Sequence, residues 1–183
     1  MPWEFASLWD RALTYQQFIG ESAPRDCELW VSVYRTARIP EWATQRARAL
    51  GRRLRLVVLA EDWCGDASST VPVLARWADE AGSVELRILQ RDKNPQVMAR
   101  YLTNGARSIP LAIVLTDQME ELGRWGPRPA ELQAFVVRER AAGRTSRDYH
   151  PEVRRWYAKD KGESTLREVL EVAERASAVR PPG

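Results

Sequence analysis

The apolar positions of this chain fall into two rhythms. In its middle they form short unbroken runs: LRLVVLA (54–60), VELRIL (84–89) and PLAIVL (110–115). Runs of this length, rich in branched residues, predict strands, and the first reads as a central strand buried on both faces. MEELGRW (119–125) follows the third run after only TDQ (116–118), which predicts an antiparallel hairpin. Elsewhere the spacing is helical. Residues 64–81 predict a helix closed by Gly82, and Pro95 opens a short one through Leu102. Leu132, Phe135 and Val136 form a stripe that starts after Pro129 and stops at Gly143. Leu166, Val169, Leu170 and Ala173 form another, with Thr165 and Glu168 at capping-box spacing. Thr14 and Gln17 have the same spacing ahead of Phe18 and Ile19, and Pro40 opens a helix to about Leu50, stopped by Gly51. Residues 26–38 carry both patterns. Val31 and Val33 alternate as in a strand, while Leu29 with Val33 and Trp30 with Tyr34 recur at helical spacing. The helix is favoured, with Asp26 or Ser22 as its cap.

The middle of the chain therefore runs strand, helix, strand, helix, strand, strand, helix. Its first part requires a right-handed parallel crossover, and the hairpin adds an antiparallel edge. The fold class is α/β, a small mixed sheet of about four strands flanked by helices. The chain reads as a single domain, with its core at 53–142, a helical N-terminal extension at 1–52 and a C-terminal one at 143–183. The RPPG end (180–183) is expected to fray.

Composition narrows the partners. A net charge of +3, with arginines spread among acids, predicts solvated helix faces rather than a nucleic-acid stripe. The first twenty residues include Glu4, Asp10 and Arg11 and no long apolar run, so neither a signal peptide nor a membrane anchor is expected. Two cysteines make no disulfide framework, which fits a reducing cytoplasm. With one histidine they make no metal site. No cofactor is implied.

The candidate chemistry lies at Trp63-Cys64-Gly65, where the first strand runs into a helix. A thiolate is the nucleophilic form of cysteine, and free N–H groups at a helix N-terminus stabilise it. Glu61, Asp62 and Asp66 oppose that ionisation. Asp62 or Asp66 is expected to cap the helix and turn its charge aside, and Arg107 to offset the acid. The sign of the net shift stays open. Position 67 is alanine, so no second sulfur waits on the next turn. Cys27 is either a distant resolving thiol or an isolated half-buried cysteine. His150, before Pro151, is placed in a helix-start loop, and Lys159 to Lys161 in a solvated turn.

This order of elements, with W-C-G at the first strand-to-helix turn, resembles the thioredoxin family from about Leu54 to Arg140. Pro72 matches a proline that kinks the family's active-site helix. DKNP (92–95) resembles the entry to the next helix. SIP (108–110) resembles the loop whose proline is cis and faces the sulfur, and Gly126 falls near a glycine lining the substrate groove. With GRWGPRP (123–129) and WYAKDKG (156–162), the whole chain looks like a bacterial thioredoxin-like branch with a W-C-G-D-A site. The resemblance implies that Ile109 and Pro110 hold a partner strand. Trp63 reads as a packing lid beside the sulfur rather than a cofactor contact. Trp125, Arg124 and Arg128 either rim a groove or form a plain turn. The departures matter equally. Ala67 replaces the second cysteine and Asp66 a proline. The family's buried acid and lysine would fall on Val58 and Ile88. The expected function is single-thiol exchange or thiol-adduct handling at Cys64, with protein or small-molecule thiols and disulfides as partners. The alternatives are a retired fold kept as a binding or adaptor module, and a peroxide sensor through Cys64.

Overall fold

A chain of alternating apolar runs and amphipathic stripes can bury both only by laying helices on a sheet. A computed structural model of the protein describes residues 4–179, so the RPPG end lies outside the described residues. The sheet has four strands, β1 (Leu54–Ala60), β2 (Val84–Gln90), β3 (Leu111–Thr116) and β4 (Glu121–Trp125), in the order β2-β1-β3-β4. β1 runs parallel to β2, with Val58 opposite Ile88, and antiparallel to β3, with Val58 opposite Ala112. β4 completes the hairpin with β3. β3 is buried along its whole length and β1 nearly so, as central strands covered on both faces must be. Val58 and Ile88 are both fully buried, so the two sites where the resemblance places an acid and a lysine face each other as a dry apolar pair. This is the expected α/β class: a mixed sheet flanked by helices.

Nine helices are described: α1 (Phe5–Arg11), α2 (Tyr15–Glu21), α3 (Pro24–Thr36), α4 (Glu41–Ala49), α5 (Gly65–Ala81), α6 (Pro95–Arg100), α7 (Ala130–Ala141), α8 (Ser146–Asp160) and α9 (Glu163–Val179). The Thr14–Gln17 capping box is present at α2. Residues 24–36 are helical, but the cap is Ala23 rather than Ser22 or Asp26. Ser22 ends α2 instead, with its hydroxyl donating to Phe18 O at 2.8 Å, and Pro24 then opens the next helix. α1, absent from the sequence reading, sends Phe5, Leu8 and Trp9 into the core. Leu13, just after it, exchanges two 2.8 Å backbone hydrogen bonds with Ile88 and so covers the outer edge of β2.

The largest difference is in the C-terminal third. The helix that covers β3 and β4 is α9, whose Leu166, Val169, Leu170 and Ala173 are fully buried in the main core. α7 packs on α8 instead. Leu132, Val136, Tyr149, Val153 and Tyr157 form a small core of their own. α8 occupies the place given to a loop at His150 and runs through Pro151, with the carboxylate of Asp148 accepting from Thr145 N at its start. α9 begins at Glu163, and Asp160 accepts from Ser164 N at 3.2 Å. The proposed Thr165–Glu168 capping box is therefore not formed: Thr165 is already inside the helix, and Glu168 points elsewhere.

Candidate active site

β1 ends at Ala60, and four residues, Glu61 to Cys64, bring the chain round to α5. Trp30 of α3 donates its indole N–H to Asp62 O at 2.9 Å, and the Asp62 carboxylate accepts from Trp63 N at 2.8 Å. These bonds hold the turn so that Cys64 is the N-cap of α5, with extended backbone, and its carbonyl accepts the first helical bond from Ser68 N. The cap is thus Cys64 itself, not Asp62 or Asp66.

The Cys64 thiol lies 3.6 Å from the carbonyl oxygen of Ile109, to which it can donate. The Ile109–Pro110 peptide bond is cis, as is Gly126–Pro127. Gly126, at φ 121°, lies so close to this loop that a Cβ there would sit 2.2 Å from Pro110 O. Only glycine tolerates both the backbone angle and the approach. Cys64, Ile109, Pro110 and Gly126 are therefore brought together by β1, β3 and the end of β4.

Cys64 is 9% exposed. Burial pushes its thiol up from the ordinary cysteine range, and the Asp66 charge adds to that. The N–H groups of Ala67 and Asp66, and the Arg128 cation, pull the other way without prevailing. Ala67, where a second sulfur would stand, is fully buried.

Asp66 does not face solvent. Its carboxylate takes Arg128 through both oxygens, at 3.0 and 2.6 Å, and accepts from the Tyr157 hydroxyl at 2.8 Å. Arg128 also donates to Gln133 Oε1 at 3.0 Å. Tyr157, in α8, has its hydroxyl pushed far above the usual tyrosine range by burial and by the Asp66 charge. His150 of the same helix is exposed and has Nε2 3.6 Å from where a Cβ on Gly65 would be. α8 thus crosses the N-terminus of α5.

Three expected roles move. Arg107 is exposed and its carbonyl accepts from Arg91, so the guanidinium that meets the acid is that of Arg128. Trp125 does not rim a groove: it is buried, and its N–H donates to Glu168 at 2.7 Å. Trp63 is 57% exposed with the Arg91 guanidinium 5.1 Å above its ring, so it is no buried lid. Glu61 is buried and turned toward the next turn of chain, where it accepts from Asp92 N at 2.7 Å. Burial raises its pKa against that hydrogen bond. Among the described residues no group of three or more histidine, cysteine, aspartate or glutamate side chains could hold a metal ion, and no helix is long and apolar enough to cross a membrane.

A family model described as thioredoxin matches residues 12–150, most of the chain. The chain belongs to the thioredoxin family. Its fold is similar to that of a protein of unknown function from Pseudomonas aeruginosa, at 24% identity and TM-score 0.75 over 94% of this chain and 98% of that one. An HIV epitope-scaffold is also similar, at 22% identity and TM-score 0.72, over 93% and 97%. No curated protein matches. These likenesses speak to the fold. In this thioredoxin-family protein α7 and α8 stand between the hairpin and the helix that covers it, and Arg128, in the turn before α7, and Tyr157 of α8 reach back to Asp66. Both residues lie in segments the sequence reading singled out, GRWGPRP and WYAKDKG. Their meeting at Asp66 was invisible because three separate elements supply it.

Proposed function

We propose that the protein is a thioredoxin-like oxidoreductase that works with one sulfur. The observation that supports this reading is the placement of Cys64: its Sγ stands at the start of α5, 3.6 Å from the Ile109 carbonyl that precedes cis-Pro110. In the proposed reaction Cys64 loses its proton to water. Its thiolate attacks one sulfur of a disulfide R–S–S–R′, forming Cys64–S–S–R and releasing R′–S⁻, which takes up a proton. With Ala67 on the next turn, no sulfur within the motif attacks the adduct. A second, external thiol does so, regenerating the Cys64 thiol and leaving R joined to it as a new disulfide. The backbone of Ile109 is where an extended partner would pair as the thiol swings away from its carbonyl.

The burial of Cys64 and its raised pKa favour a second reading, a binding module that keeps the groove without the chemistry. Catalysed exchange between a small disulfide and a small thiol separates the two. The exchange reading expects a rate above background that is lost in Cys64→Ser and kept in Cys27→Ser. A rate equal to background in the folded parent protein favours the binding module.

A further inference from the structure

An acid two residues beyond a nucleophilic sulfur works against it, because a carboxylate within about 6 Å disfavours the thiolate. This protein carries such an acid, Asp66, in the first turn of α5. The carboxylate is only 14% exposed, and Arg128, 15% exposed, grips both its oxygens. A fork-on-fork pair of this kind fixes the guanidinium in direction as well as position. Gln133 holds a further Arg128 nitrogen from α7, and Tyr157 holds the carboxylate from α8. The arrangement is costly to bury and does nothing for the apolar core, since α7 and α8 pack on each other. It ties α8 and the turn before α7 to the first turn of α5, the helix that Cys64 caps.

We propose that Arg128 is the positioning residue that eases loss of the Cys64 proton: Asp66 and Gln133 fix the guanidinium beside the start of α5, where it offsets the Asp66 carboxylate that would otherwise oppose the thiolate. The use of that thiolate rests on the single-thiol reading above; the electrostatic assignment does not. The other charged groups around the sulfur are otherwise engaged. Glu61 accepts from Asp92 N, and Asp62 from Trp63 N. Arg91 pairs with Asp92 and covers Trp63. Arg107 is exposed ahead of the Pro110 loop, Tyr157 donates to Asp66, and His150 lies over Gly65.

The test is the pH profile of Cys64 alkylation by iodoacetamide, in a Cys27→Ser background, with folding checked by circular dichroism. Arg128→Met is expected to move the midpoint to higher pH and slow alkylation at neutral pH by about tenfold. Asp66→Asn moves it to lower pH. The double variant returns near the parent, and Arg128→Lys keeps most of the parent profile. Should Arg128→Met fail to fold, Asp66→Asn against the double variant carries the same comparison: the double must titrate higher. An unmoved midpoint in either comparison overturns the assignment, as does a shift in His150→Gln equal to that of Arg128→Met. Failure here is separable from failure of the exchange reading. Shifted midpoints with no exchange in the parent leave this assignment standing and sink the exchange reading. Unmoved midpoints with exchange intact do the reverse.

Discussion

The sheet with its covering helices and the α7–α8 pair are held by different forces. The first buries long apolar runs from both halves of the chain, including all of β3 and the inner stripe of α9. The second has five buried residues in its own core and joins the rest through a few named polar bonds: Arg128 and Tyr157 to Asp66, and Ala130 N to Glu168 at 2.8 Å. Gly162, whose Cβ would lie 2.6 Å from Val73, lets the α8–α9 turn press onto α5. The sulfur and the acids near it, Glu61, Asp62 and Asp66, belong to the first region, while Tyr157 and the turn into α7 that carries Arg128 bring the second up to Asp66.

That division can be broken at several strengths. Leu170→Ala empties a fully buried position under the hairpin and should cost about 2–5 kcal/mol, seen as a lower denaturation midpoint with both regions lost together. Loss of α7–α8 alone would mean that α9 is not the helix that holds the sheet. Glu168→Ala leaves the buried Trp125 N–H and the first N–H of α7 without their shared acceptor, at about 1–3 kcal/mol. Hydrogen exchange should quicken in α7 and α8 and stay slow in β1 and β3. Equal quickening everywhere would erase the distinction between the regions. Tyr157→Phe removes one hydrogen bond, about 1 kcal/mol, and should loosen α8 alone.

The smallest effect is expected at a polar tie within the first region. Arg46 holds Glu174 at 2.7 Å and, against burial, keeps its carboxyl below the usual range. A depressed carboxyl stabilises the fold above the ordinary glutamate pKa and loses that contribution as pH falls through its lower folded value. Both partners are about a third exposed, so the contribution is slight. Glu174→Gln should lower the thermal midpoint a little at neutral pH and not at all in acid. A difference that persists in acid would assign the effect to packing instead.

The same contrast decides how much could be read from sequence. Apolar runs and stripes announce themselves by period, so β1 to β4, α5 and the stripe of α9 were legible, as was Cys64 at a helix start. What period cannot say is which helix covers the sheet. α7 has a stripe of its own, but Leu132 and Val136 meet Tyr149 and Tyr157 of α8 rather than β4. α8 was half hidden because His150-Pro151 reads as a helix-start loop, whereas the helix already begins at Ser146 and carries Pro151 inside it. α1 is a short helix of seven residues and leaves little pattern. The site was half legible for the same reason. Glu61, Asp62 and Asp66 were visible as opposing charges near Cys64. That Arg128 rather than Arg107 answers Asp66 follows from where the turn after Gly126 lands, which no local spacing records.

The central claim is that Cys64, alone of the two cysteines, exchanges with disulfides in the folded protein. Its most direct test is peptide mapping by mass spectrometry after incubation with oxidised glutathione and acid quenching, native and denatured side by side. The account expects a native adduct on Cys64 that added thiol removes, with Cys27 far behind. No adduct on Cys64 in the native protein, with ready adduct formation there once denatured, would contradict it.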